Sequence, residues 1–338
     1  MLFTEYTRKA SLLAVGCLLT ATYNTSQAQD ELSWPVYAAQ LSDKVLEHCE
    51  IKSCDMNVLD ATALSQMLNE HVLKDEVNEA LTLSQYELLV SSALIKNSSA
   101  KNPAANTLVL EMSTSWRGII VDDYNVETLI DSNLEDTARA LVDAWVVRVQ
   151  QSDVFSAERI YHTIGASDYQ NQMQLPEKIG DFVRSQSALY HDPLQGIITR
   201  YLHPDFADAV VDVSVYPVSP FTHANQDFSM NLSAEMQIEK TQIEALIKQA
   251  KMQDYLISEI QSTALGSAQS TISGLAMEVA LETQIDPIYS TQILFTQNDK
   301  FIKLTGNVPK QMMLALANES VEQIKVPQES AFMQSMRQ

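Results

Sequence analysis

The sequence predicts an α+β protein of two domains. Segments with apolar residues at helical spacing stand beside runs in which apolar and polar residues alternate singly. The strand-like runs come in groups joined by turns and do not alternate one by one with helices, which predicts antiparallel sheets with helices segregated on them. At 338 residues, 46% of them hydrophobic, the chain is long enough to bury two cores.

The first segment is an address. Arg8 and Lys9, with the single acid Glu5, precede the uncharged apolar run Ala10–Tyr23, the pattern of a secretory signal peptide. The run falls short of the roughly 20 residues that cross a bilayer as a helix. Ser26 and Ala28 supply the small residues for cleavage after Ala28, which makes Gln29 the new N-terminus. Ala14-Val-Gly-Cys17 offers a second reading, a lipoprotein box with Cys17 acylated, but Leu18 and Leu19 carry the apolar run past the point where a lipoprotein turns polar. No later apolar run reaches membrane-spanning length. The expected product is periplasmic, with no integral membrane segment after cleavage.

Charge narrows the partners. With 22 Lys and Arg against 43 Asp and Glu, the net charge is −21. Such a surface repels phosphate backbones and anionic headgroups, so nucleic acid and direct membrane binding are set aside in favour of a protein or small-molecule partner.

The first domain is expected over 29–153. Pro35 to Glu50, with Val36, Ala39, Val45 and Leu46, and Asp60 to Leu73, with Leu64, Met67, Leu68 and Val72, are amphipathic helices, the second capped by Asp60. Cys49 and Cys54 remain after cleavage and form a disulfide in an oxidising compartment. So short a loop contributes about 2 kcal/mol, and its role is to pin the end of one helix to the start of the next. The spacing fits neither a Cys-x-x-Cys redox pair nor a haem site, and a zinc set with His48 and His71 has no standard spacing. Tyr86–Ile95 and Thr107–Trp116 are strands, a hairpin around the breaker-rich residues 97–106. Ser132-Asn-Leu-Glu135 is a capping box opening a helix to Gln151, buried through Ala138, Val142, Trp145 and Val149. The cap accounts for Asp131, Asn133 and Glu135 better than a calcium loop, which would need Gly at its sixth position and Glu at its twelfth.

Residues 154–174 lose periodicity and gain amides, and are expected to be a linker. The second domain, 175–338, begins with strands at Phe182–Tyr190, Gly196–Leu202 and Ala209–Tyr216. A helix from Ser233 to Leu265 follows, with Ile243, Leu246, Ile247, Ala250, Ile257, Ile260 and Ala264 on one stripe and Glu239 off it. A meander of Ile272–Thr283, Tyr289–Thr296 and Lys300–Gly306 turns tightly at Gln297-Asn-Asp299, and Pro309 opens a closing helix to Ile324.

Leu175-Pro-Glu-Lys-Ile-Gly-Asp-Phe182, Tyr190-His-Asp-Pro-Leu-Gln-Gly196, Val213-Ser-Val-Tyr-Pro217 and Thr291-Gln-Ile-Leu-Phe-Thr-Gln-Asn-Asp-Lys-Phe-Ile-Lys303 resemble secreted bacterial proteins with the PsbP-like α/β/α sandwich. The resemblance implies an antiparallel sheet packed with a long helix and a C-terminal helix. It also implies a binding or assembly factor, and because that superfamily shares no catalytic set it assigns no functional residue.

Motifs for a serine nucleophile, a phosphate-binding glycine loop and a His-Glu-x-x-His metal helix are absent from the sequence, which holds only 8 glycines. The best cluster is His191-Asp192 with His203-Pro-Asp205 and Asp208, where imidazole and carboxylate would suit zinc or another divalent ion. The alternative is that these are turn-formers satisfying their own backbone. Asp122 and Asp123, adjacent in a strand, would point to opposite faces and make no carboxylate dyad. The expectation is a non-enzymatic periplasmic binding, scaffolding or envelope stress-tolerance protein with no cofactor and no catalytic residues. The alternative is a metal-assisted hydrolase built on His191, His203, Asp205 and Asp208. If the export reading is right, the intact mass of protein from a periplasmic extract begins at Gln29; a product retaining Met1, or one starting at acylated Cys17, would refute it.

Overall fold

The computed structural model describes residues 35–72, 86–96, 106–130, 133–219, 228–252, 254–267, 270–282 and 287–337. The signal segment, loop 97–105 and the Asp131 and Ser132 positions lie outside these residues. The chain is α+β and divides into two compact units, with the division in the sequence falling between Ile164 and Gly165.

The first unit opens with strand β1 (Val36–Ala38), helix α1 (Asp43–Ile51), strand β2 (Cys54–Met56) and helix α2 (Ala61–Val72). Strands β3 (Tyr86–Ile95), β4 (Thr107–Trp116) and β5 (Ile119–Leu129) and helices α3 (Leu134–Gln151) and α4 (Ala157–Ile164) complete it. β3, β4 and β5 are antiparallel neighbours, and β1 and β2 both pair with β3, β1 in parallel and β2 antiparallel. Alternation along the strands feeds two cores. Leu88, Val90, Leu108, Leu110 and Met112 pack with Leu64 and Leu68 of α2 and Val142 and Trp145 of α3. Ala93, Ile95 and Val109, pointing the other way, pack with Leu41 and with Val45 of α1.

β3 and β4 have the expected bounds, and Asp60 caps α2, its Oδ1 accepting from the Ala63 amide at 2.7 Å. Three expectations are corrected. Residues 36–38 are a strand and the helix starts only at Asp43, because the β3 edge captures the apolar Val36 segment as a parallel partner. The cap of α3 is Asn133, whose Oδ1 accepts from the Asp136 amide at 2.8 Å, one residue later than the expected Ser132 box. The supposed linker carries α4, and Val154, Ala157, Ile160 and Tyr161 are buried: a short amphipathic helix was hidden by the amides around it.

The second unit carries strands β6 (Lys178–Ile179), β7 (Phe182–Leu189), β8 (Ile197–Leu202) and β9 (Val210–Pro217), then helix α5 (Phe228–Gln249). Strands β10 (Tyr255–Ile257), β11 (Gln261–Ser267), β12 (Ser270–Leu281), β13 (Ile288–Gln297) and β14 (Lys300–Gly306) precede helices α6 (Lys310–Gln323) and α7 (Ala331–Met336). The nine strands form one antiparallel sheet in the order β10-β12-β13-β14-β9-β8-β7-β6, with β11 also on β12. α5 covers one face through Leu232, Met236, Ile243 and Ile247, against Leu275, Met277, Leu294 and Phe301. α6 packs against β11, β13, β14 and β6, with Met313, Leu316 and Ala317 buried. Gly196, at φ +67, closes the β7–β8 hairpin; a Cβ there would stand 2.0 Å from the Val215 carbonyl oxygen, so no side chain fits.

α5 is shorter than expected. It ends at Gln249, and Ile257 and Ala264 belong to β10 and β11. The stop is a Schellman closure: Met252 N donates to Ile247 O, Lys251 N donates to Lys248 O, and Lys251 holds φ 54. α3 ends similarly, with Val154 N donating to Val149 O and Asp153 at φ 48.

Cys49 and Cys54 are bonded, their Cα atoms 5.3 Å apart, and tie the last turn of α1 to the first residue of β2, a strand where a helix start was expected. The other end of α1 is held by Glu111 of β4, a buried carboxylate that accepts from Ser42 N at 2.8 Å, Ser42 Oγ at 2.5 Å and Ser91 Oγ at 2.9 Å. With both ends fixed by different contacts, reducing the disulfide should lower the stability of the full chain by about 2 kcal/mol or less, measured by urea unfolding with and without reductant. Loss of cooperative folding on reduction would contradict this.

Candidate functional site

The alternative metal set, His191, His203, Asp205 and Asp208, is not brought together. His191 lies in the β7–β8 turn and His203 just past the other end of β8, a six-residue strand that itself spans roughly 17 Å. Each follows the turn-forming alternative. Asp192 Oδ1 accepts from Leu194 N at 2.9 Å. His203 Nδ1 accepts from Asp205 N at 3.1 Å, its ring between those of Phe182 and Phe206. Asp205 and Asp208 are exposed. Among the described residues no three His, Cys, Asp or Glu side chains form a group that could hold a metal ion. The disulfide also takes both thiolates from any zinc set with His48.

What the second sheet does bring together is a set of polar side chains on the face beneath α5. Gln292 of β13, Thr305 of β14, Asp212 of β9 and Arg200 of β8 are successive cross-strand partners, so their side chains form one row. Arg200 grips Asp212 with Nε and an Nη, both at 2.8 Å, the two side chains being 15% and 6% exposed. In the next row Lys303 pairs with Ser214 across the strands and donates to Glu239 Oε1 of α5 at 2.5 Å. In the third row Tyr216 donates its hydroxyl to Glu235 Oε1 at 2.9 Å, and the Lys303 ammonium lies 5.8 Å from the Tyr216 ring.

The chemistry of this seam is mostly settled by its own members. Arg200 and Lys303, the two cations, each have a carboxylate, so the paired charges offset the cost of their burial. Two groups in the first row stay open: Gln292 Oε1 and Thr305 Oγ1, opposite each other, are buried without a hydrogen-bond partner among the described residues. An amide oxygen beside a hydroxyl suits a donor such as water or a small polar ligand. Burial pushes the Glu235 carboxyl above the ordinary glutamate range; the Tyr216 bond opposes that shift, Glu239 adds to it, and Lys303 opposes it.

A second polar cluster lies where the β13–β14 turn meets the C-terminus. Lys300, fully buried, donates to Asp299 Oδ1 at 2.5 Å, and Arg337 reaches Asp299, Glu329 and the Val218 carbonyl. Burial lowers the Lys300 ammonium below its ordinary value, and Asp299 opposes that. With Lys300 and Asp299 shut off from solvent, the cluster ties α7 down through Arg337.

The seam was missed because Asp212 and Ser214 alternate with Val211, Val213 and Val215, the pattern of a strand with one wet face. The available signal was on α5. Glu239 stands three residues after Met236 and four before Ile243, on the buried stripe and not off it. In the first unit, Asp122 and Asp123 do diverge: Asp122 is buried and takes two bonds from Arg148, at 2.5 and 2.8 Å, while Asp123 meets Ser113.

No protein-family model matches the sequence, and a comparison with curated proteins finds no match. Among solved structures the chain is similar to the solution structure of cyanobacterial PsbP (CyanoP) from Synechocystis sp. PCC 6803, at 9% identity and a TM-score of 0.31, over 47% of this chain and 89% of that one. That neighbour carries the name of the family that the motifs of the second half resemble.

Removing one partner of the buried pair leaves the other uncompensated, so Asp212→Ala should lower the unfolding free energy by about 3–5 kcal/mol in urea. The double variant Asp212→Leu/Arg200→Met should recover part of that loss. A double variant at least as unstable as the single would mean that the pair does not carry the coupling assigned to it.

Proposed function

We propose that this chain is a non-enzymatic binding or scaffolding protein of the bacterial envelope, exported to the periplasm. The observation that supports this best is the engagement of the charged groups beneath α5. A hydrolytic centre needs a base or nucleophile in reach of substrate and able to exchange a proton. Here Asp212 is held by two bonds from Arg200, and Glu239 by Lys303. Such groups hold α5 and the sheet in one arrangement, which suits a scaffold. The net charge of −21 supports a neutral or basic partner, and no helix of the described residues is long and apolar enough to cross a membrane.

The metal-assisted alternative makes a separate demand, an ion bound to His191, His203, Asp205 and Asp208. Full-length protein purified without chelator should contain no stoichiometric divalent metal and should melt at the same temperature with and without EDTA. Stoichiometric zinc with a chelator-sensitive transition would overturn the binding reading in favour of the hydrolase.

A further inference from the structure

α5 is anchored by apolar residues at Leu232, Met236, Ile243 and Ile247, yet it also turns the half-buried Glu235 and the buried Glu239, one turn apart, toward the sheet. The groups that face them are Tyr216 and Asp212 of β9, Lys303 of β14 and Arg200 of β8; Arg200 is taken by Asp212, and the facing positions of β12 and β13 hold no titratable side chain. Two carboxylates therefore share one ammonium, and Lys303 is bonded to Glu239. Glu235 keeps only the Tyr216 hydroxyl among the bonds described for it.

A third group points to where the proton belongs. Asn231, one turn before Glu235, is buried, and its Oδ1 has no hydrogen-bond partner among the described residues. A carboxylate cannot satisfy an acceptor, because it has no hydrogen to give; a protonated carboxyl can. With a proton, Glu235 accepts from Tyr216 through one oxygen and has an O–H to offer Asn231 through the other. Without it, Asn231 Oδ1 stays orphaned and Glu235 adds a second negative charge under the helix.

We propose that Glu235, bonded to Tyr216 and one helical turn from both Asn231 and the Glu239 that Lys303 takes, makes the docking of α5 pH-sensitive: the helix sits firmly on the sheet when Glu235 holds a proton and loosens when it ionises. The device is independent of what the chain binds. Because the folded-state carboxyl is raised above its ordinary value of 4.5, its stabilising contribution is complete below that value and is lost as pH rises through the raised one.

Hydrogen exchange of the full-length protein, corrected for intrinsic rates, tests this from about pH 5 to about pH 8. The opening of α5 amides should increase with pH by at most about tenfold per unit, the limit for one proton, while β12 and β13 amides do not follow. Glu235→Gln, which keeps the acceptor for Tyr216 and a donor for Asn231, should abolish the dependence. Tyr216→Phe removes a bond that favours the ionised form and should move the transition to higher pH; Asn231→Ala removes the acceptor for the protonated form and should move it to lower pH. An α5 that opens equally across the range in the wild type, or a Glu235→Gln protein that keeps the dependence, would overturn the proposal, and so would shifts of the same sign in the other two variants.

Discussion

In the second unit α5 covers one face of the sheet and α6 the other, so polar side chains on β8, β9, β13 and β14 must find their partners within the protein. Everything beneath α5 follows from that. Valines at 211, 213 and 215 take the face shared with α6, which leaves Asp212 and Ser214 facing α5. Arg200 then has to come from the neighbouring strand, and Lys303 has to meet a carboxylate from above. Buried ion pairs of this kind are neutral in stability at best when compared with apolar residues of the same volume. What they add is position: Lys303 fixes the register of α5 against β14, and Arg200 fixes β8 against β9.

The first unit meets the same requirement with less charge. Glu111 has no cation among its described partners and is satisfied by one amide and two hydroxyls, with the Ser42 amide at the start of α1 giving it the positive end of a helix. Asp122 takes a guanidinium from the last turn of α3, where a cation also favours the helix dipole. In both cases a carboxylate on a strand reaches a helix terminus, so the sheet holds its helices by their ends as well as by their apolar stripes.

Strand positions were legible in the sequence because alternation survives burial. β3 and β4 stand at their expected bounds and β14 does too. β5 was not, since Asp122, Asp123 and Glu127 masked its apolar members, and the turn before it depends on Arg117 at φ 48 followed by Gly118 at φ 83. Helix ends were the least legible. A reader of sequence looks for glycine after a helix, and α3 and α5 end without it. The seam beneath α5 was not legible: the sequence reading put Glu239 off the helical stripe, its Lys303 partner lies 64 positions away, and only the register of β14 against β9 brings the rest of the row beside it.

Among the described residues, five non-glycine positions hold a positive φ, Asn57, Arg117, Asp153, Lys251 and Asn298, and they also bear on the chain before it folds. A left-handed backbone costs an ordinary residue about 1–2 kcal/mol relative to glycine in the folded state. Glycine would relieve that strain but would loosen the denatured ensemble, which is worth about 0.4–1 kcal/mol per site in the opposite direction. With 8 glycines in 338 residues, this protein keeps its unfolded chain comparatively stiff and surrenders less disorder on folding. Part of its native stability is therefore written in conformations the polypeptide never has to give up.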